Sequence, residues 1–200
     1  SACLVGSEMC IRDRIEIIKT RAIQALAVTI DNSDFASVMA EYPAAGRVYK
    51  TSYSFCTHTV LAGVRSWLQV NPKVARVAYI FEQGHASATQ SLKIMNRLFK
   101  APEKRAQYRP SSWAFIEKQD SCALQAADLL AWQWYTDKRH QIEGRPRRKD
   151  CENLLQLHYN VGHLDRASLV AIVRDGPLMS SIMDARPLLP LPNGLFRKIG

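Results

Sequence analysis

Two carboxylates stand where the surrounding pattern calls for apolar side chains or a plain loop. Glu82 closes the run VARVAYIF, residues 74–81, and is the first acid after it. If that run is a strand, period-2 alternation puts Glu82 on one face with Val74, Ala78 and Ile80. Gly84 follows and permits a tight exit or close approach of a ligand. Asp128 lies within SCALQAADLLAWQWY, residues 121–135. On a helix, Leu124, Ala131, Trp132 and Tyr135 fall within about 60° of it. The spacing therefore predicts Asp128 in the middle of an apolar stripe. An ionised carboxylate buried alone costs several kcal/mol, so it must pair, protonate or bind a metal. Taken singly, each has a plain interpretation: Asp128 satisfied by an Arg or by backbone N–H groups, Glu82 solvated at the start of a loop. Taken together they suit a different chemistry. A carboxylate at the carboxyl end of a strand and another on a later helix are oxygen ligands of the kind Mg2+ or Mn2+ takes. Clustered carboxylates of this sort hold the ions of two-metal phosphodiester chemistry.

Other polar residues cluster around these two in sequence. His85 is placed to reach the same site as a proton shuttle or phosphate contact, or is a polar loop residue. Lys118, at the end of the short run WAFIEK, is a candidate phosphate contact. Gln125 lies one helical turn before Asp128 and is positioned to hydrogen-bond it. Asp120 fits the N-cap region of a helix better than a ligand set. Residues 138–149 hold Lys138, Arg139, Arg145, Arg147, Arg148 and Lys149 against the single acid Glu143. Gly144-Arg145-Pro146-Arg147 looks like the core of a minor-groove hook. Such a short match is common, and a solvated basic loop ranks ahead of it. Cys151, His158 and His163 lack the paired cysteines of a zinc site. There is no P-loop, G-x-G-x-x-G or G-x-S-x-G, so nothing local supports a nucleoside triphosphate, a dinucleotide or a serine nucleophile.

The elements that must position these groups alternate. Strands are predicted at 25–30, 74–81 and 113–116, and helices at 53–70, 89–99 and 121–135. Residues 31–34 read as turn chemistry, and a loop carries Pro43 and Gly46. Residues 138–150 read as a basic linker, with weaker helical pattern at 152–158 and 166–173. This is an α/β pattern with a mixed sheet. The 200 residues suit one domain plus a tail, 47% of them are hydrophobic, and the net charge is +9. That charge favours a polyanionic partner, nucleic acid before a membrane surface. No apolar run is long enough to span a bilayer. Five widely spaced cysteines (Cys3, Cys10, Cys56, Cys122, Cys151) without C-x-x-C argue against a disulfide framework and fit a reducing cytoplasm. Ser1 to Arg14, SACLVGSEMCIRDR, resembles translated sequencing-adapter read-through and is expected to be non-native.

The segments YIFEQGHASATQSLKIMNRL, residues 79–98, and FIEKQDSCALQAADLLAWQ, residues 115–133, together resemble the domain-of-unknown-function 3800 family. The shared features are a strand ending in an E-x-G-type motif, a helix, a short strand ending in Lys, and a helix bearing [LI]-Q-x-A-D-L-[LI]-A. The resemblance spans residues 15–140, leaving 141–200 as a basic linker and a weakly patterned C-terminal segment. It implies an RNase-H-like fold and a metal-dependent nuclease or related phosphoryl-transfer protein, of a kind proposed to act in mobile-element or defence settings. It assigns Glu82 and Asp128 as catalytic metal ligands for Mg2+ or Mn2+. Lys118, Lys138, Arg139, Arg145, Arg147 and Arg148 are the candidate nucleic-acid contacts, with DNA or RNA left open. The family's first strand carries an Asp-Glu-Ser motif that this sequence lacks. The chain is therefore expected to lack its first strands and to be inactive as it stands. A non-catalytic basic module of the same fold, binding nucleic acid or a partner protein, is the alternative. The geometric expectation is that strand 74–81 is central, that Leu124 and Trp132 pack on Ile80 and Ala78, and that the Glu82 and Asp128 carboxyl groups lie within roughly 8 Å across a cleft.

Overall fold

A computed structural model describes residues 11–84, 88–154, 159–174 and 197–198. The chain is mixed α/β, as the alternation predicts. Helix α1 (Ile11–Arg21) runs unbroken past residue 14. Strand β1 (Ala25–Ile30) leads into α2 (Asn32–Glu41) and α3 (Pro43–Val48), where the sequence reads as turn and loop. The turn chemistry at 31–34 is a helix start: the Asp31 carboxylate accepts from the Ser33 and Asp34 amides at 2.7 and 3.0 Å. Helix α4 (Ser52–Val70) is followed by β2 (Val77–Glu82), α5 (Ala88–Lys100), α6 (Pro102–Tyr108) and β3 (Pro110–Ile116). A 3-10 turn (Lys118–Asp120) precedes α7 (Cys122–Ile142); α8 (Lys149–Leu154), β4 (Tyr159–Leu164), α9 (Arg166–Arg174) and the short β5 (Arg197–Lys198) complete the described elements.

Among the described residues the strands do not form one sheet. β1 pairs parallel with β4, which pairs antiparallel with β5, while β2 and β3 form a separate parallel pair. Strand β2 is therefore not central: its outer edge has no ladder partner among the described residues. Both strand groups pack on α4. Phe55 and Ala62 of α4 join Phe35, Val38, Leu169 and Ile172 in one core cluster, and Leu61 joins Tyr79, Ile94, Met95 and Leu98 in another. Residues 77, 79 and 81 of β2 turn to that second cluster, where Tyr79 donates its hydroxyl to the Tyr108 carbonyl at 2.7 Å. The opposite face of β2, with Ala78, Ile80 and Glu82, is exposed.

Helix α7 is the largest departure from expectation. It buries the face opposite the one the stripe analysis selects. Ala126, Leu129 and Leu130 pack on Ile15 and Ile18 of α1, and Leu130 and Trp134 pack on Ala25 and Ala27 of β1. Trp132 and Ile80 are each 43% exposed, so the expected packing of Trp132 on Ile80 and Ala78 does not bury either. The helix also runs on to Ile142, which puts Lys138 and Arg139 on α7 rather than in a linker. Among the described cysteines, Cys56 and Cys151 are free thiols and Cys122 is disulfide-bonded.

Candidate functional site

Parallel pairing brings the carboxyl ends of β2 and β3 side by side, with Glu82 in register with Ile116. The chain leaves β2 through Gln83 and Gly84, whose φ of +87° suits a residue without Cβ. It leaves β3 through Glu117 and the 3-10 turn. The Ser121 hydroxyl then accepts from the Leu124 amide at 3.2 Å and starts α7. Ser121, not Asp120, is thus the cap. Gln125 donates to the Lys118 and Gln119 carbonyls, both at 3.3 Å, so it buttresses the turn rather than bonding Asp128.

Between these exits and α7 lies a cleft of about 870 Å³. Gln83, Gly84, Glu117, Lys118 and Gln119 line it from the strand ends, and Gln125, Asp128, Leu129 and Trp132 line it from α7. Arg14 of α1 closes one side. This is the edge of a parallel pair at which ligands bind in α/β proteins. Asp128 is inside the cleft but not buried. Its side chain is 55% exposed, and its Oδ2 accepts from Lys118 Nζ at 3.1 Å. The expectation of a buried Asp128 in an apolar stripe is corrected: that stripe faces solvent. Glu82 is exposed at the strand end and does not line the cleft; the second carboxylate that does is Glu117, which accepts from Gln119 Nε2 at 2.5 Å. His85 and His158 lie outside the described residues.

The acid that the helix does bury is Asp137, nine residues on from Asp128 and so on the opposite face. Its side chain is fully buried, and Arg147 grips it through Nε at 2.7 Å and Nη2 at 3.0 Å. Gln141 Nε2 adds a third donor at 2.6 Å. The satisfied core carboxylate expected as one option for Asp128 thus exists at Asp137. Arg147, a candidate nucleic-acid contact, has a structural role here.

The other candidate cations are exposed or half-buried at the surface, each with a partner. Arg145 and Arg139 both pair with Glu143, the latter at 3.2 Å. Lys138 donates to Gln141 at 3.2 Å and lies 5.2 Å from the Trp134 ring centroid. Arg148 pairs with Asp150 at 3.0 Å and lies 5.0 Å from the Trp132 centroid. Exposed pairs of this kind are worth only about 0–1 kcal/mol, so a phosphate competes with them readily.

Among the described residues, no three His, Cys, Asp or Glu side chains form a metal cluster. Asp128 and Glu117 nevertheless match the donor chemistry of Mg2+, which is commonly held by one or two carboxylates together with substrate phosphate and water. The sequence does not single out Glu117, and its spacing places Trp132 in the core rather than in a base-stacking array. Glu117 sits where β3 ends and was legible from the strand boundary, whereas the exposure of Trp132 depends on which face of α7 packs. No family model matches the chain, and neither does any curated protein or any solved structure.

Proposed function

We propose that the cleft at the carboxyl ends of β2 and β3 is a site for nucleic-acid phosphodiester chemistry, in an RNase-H-like domain of the domain-of-unknown-function 3800 type. One observation carries the reading: Asp128, the acid of the L-Q-A-A-D-L-L-A motif, opens into a cleft at a parallel-strand edge with Lys118 beside it. A Mg2+ or Mn2+ ion would be held by Asp128 with Glu117, and would supply charge neutralisation and an activated water. The chain's own residues do the rest. Lys118, released from Asp128, takes a phosphate oxygen. Gln125 fixes the turn that carries Lys118. Arg148 and Arg139 add positive charge around α7 to retain the polyanion.

A second reading is a basic module that binds nucleic acid without chemistry. The Lys118–Asp128 pair favours it, since an ammonium already neutralises the carboxylate. Titrating Mn2+ into the protein and reading free ion by electron paramagnetic resonance separates the two. The first reading expects bound Mn2+ that is lost in Asp128→Asn. Equal Mn2+ binding by wild type and variant, or none by either, contradicts it and leaves the binding module.

A further inference from the structure

We propose that Trp132 is a stacking platform that makes the cleft selective for single-stranded over duplex nucleic acid. The inference rests on the reading of the cleft as a nucleic-acid site and names its substrate class. Trp134, two residues on, is buried in the core, whereas Trp132 is 43% exposed. Trp132 keeps apolar ring area in contact with water at the edge of the cleft, where a flat aromatic ligand would cover it. Tyr135, one turn further along the same face of α7, is 58% exposed and continues the aromatic strip. Asp128, Trp132, Tyr135 and Arg139 follow one another down that face at helical spacing.

The charge around the strip chooses the occupant. The Arg148 guanidinium lies over the Trp132 ring, 5.0 Å from its centroid, and Lys118 stands in the same cleft. An apolar protein partner would have to desolvate these cations. A nucleobase meets them differently: it takes the guanidinium's place on the indole, and Arg148, displaced from the ring, meets together with Lys118 the phosphates either side of the base. Stacking needs a base whose face is free, which a duplex does not offer. The strip leads along α7 to Asp128, so a stacked base leaves its flanking phosphodiester at the carboxylate.

The test is fluorescence anisotropy of a labelled 20-mer oligo-dT and of a labelled 20-bp duplex, at fixed salt in EDTA, with the wild type and with Trp132→Leu, Trp132→Phe and Arg148→Ala. Trp132→Leu keeps apolar bulk and removes the π-face. It should weaken oligo-dT binding on the order of tenfold and leave duplex binding unchanged. Trp132→Phe should recover most of the loss. Arg148→Ala should lower the salt slope by about one. A side chain this exposed leaves the fold intact on substitution, and superimposable circular dichroism melts would verify it. Oligo-dT affinity unchanged in Trp132→Leu overturns the inference and spares the reading of the cleft. Equal loss for both nucleic acids also overturns it, since charge alone would then be at work. No binding of either nucleic acid by the wild type overturns both together.

Discussion

Replacing Arg147 separates a structural cation from a nucleic-acid contact. In the structure it makes two charge-assisted hydrogen bonds, 2.7 and 3.0 Å, to a carboxylate with no solvent exposure, while the Arg147 side chain is about one-third exposed. Removing one partner of a buried pair costs roughly 3–5 kcal/mol, because the other charge stays behind without its counterion. Gln141 still donates to Asp137 at 2.6 Å in the variant, and the outer end of Arg147 already meets water. Both facts lower the cost, to about 2–3 kcal/mol. Arg147→Ala should therefore shift the urea midpoint down by about 1 M or more, for a slope of 1–3 kcal/mol per M. Arg147→Lys, which cannot reproduce the two-pronged grip, should lose a large part of the same stability. Arg147→Met with Asp137→Leu should regain much of the loss, since the orphaned charge is gone. The readout is far-UV circular dichroism in urea beside oligo-dT anisotropy. A midpoint within error of wild type, combined with weaker oligonucleotide binding, would refute the structural assignment and return Arg147 to the surface.

Burial lowers the pKa of His58 from 6.5 to about 4; the Arg97 charge adds to the lowering, and donation to the Ser54 carbonyl at 2.9 Å partly offsets it. Between those values the unfolded chain binds the extra proton, so stability is full above pH 6.5 and falls as pH drops toward 4; urea midpoints should show a loss of roughly 2 kcal/mol from pH 7 to 4.5 that His58→Phe removes, and an equal slope in both proteins counts against it. Gly46→Ala should destabilise by about 1 kcal/mol despite alanine's helix preference, because an added Cβ meets the Met39 carbonyl oxygen at 2.9 Å; a rise in melting temperature would contradict the packing. In β2, Val77 and Gln83 donate toward β3 at 2.8 Å each, so Tyr79 and Phe81 should do likewise while Ala78 and Ile80 face the open edge. Hydrogen exchange resolved by residue should find Ala78 and Ile80 faster than Tyr79 and Phe81, and uniform protection would mean the edge is covered.

Helix α7 shows where the sequence is legible and where it stops being so. Its existence and its motif can be read from composition, and its start to within a residue, with the cap at Ser121 rather than Asp120. Its orientation cannot, because the helix carries two apolar stripes. Leu124, Ala131, Trp132 and Tyr135 form one around Asp128; Ala126, Leu129, Leu130 and Trp134 form the other beside Gln133 and Asp137. Each includes an acid, so period alone does not choose. The choice is made by Arg147, ten residues beyond Asp137, which neutralises the second acid, and by the small Ala25 and Ala27 of β1, which let Trp134 approach. Both are tertiary facts. The boundaries of β1 and α4 followed from strong local pattern, and those of α9 from a weaker one. Helices α2 and α3 did not, because Asp31 and Pro43 serve equally as turn residues and as helix starters. At the candidate site, the strand end, Lys118 and Asp128 were legible as a group, and the exclusion of Glu82 from the cleft was not. It depends on the turn at Gly84, which presents Gln83 instead.

The central claim is that Asp128 couples a divalent ion to a nucleic-acid phosphate in the cleft between the β2 and β3 exits and α7. The most direct measurement is oligo-dT affinity in Mn2+ against EDTA at constant ionic strength, for wild type and Asp128→Asn. The account predicts tighter binding in Mn2+ for the wild type and no difference between the two conditions for the variant. Mn2+-independent affinity in the wild type, or the same Mn2+ enhancement in Asp128→Asn, would contradict it.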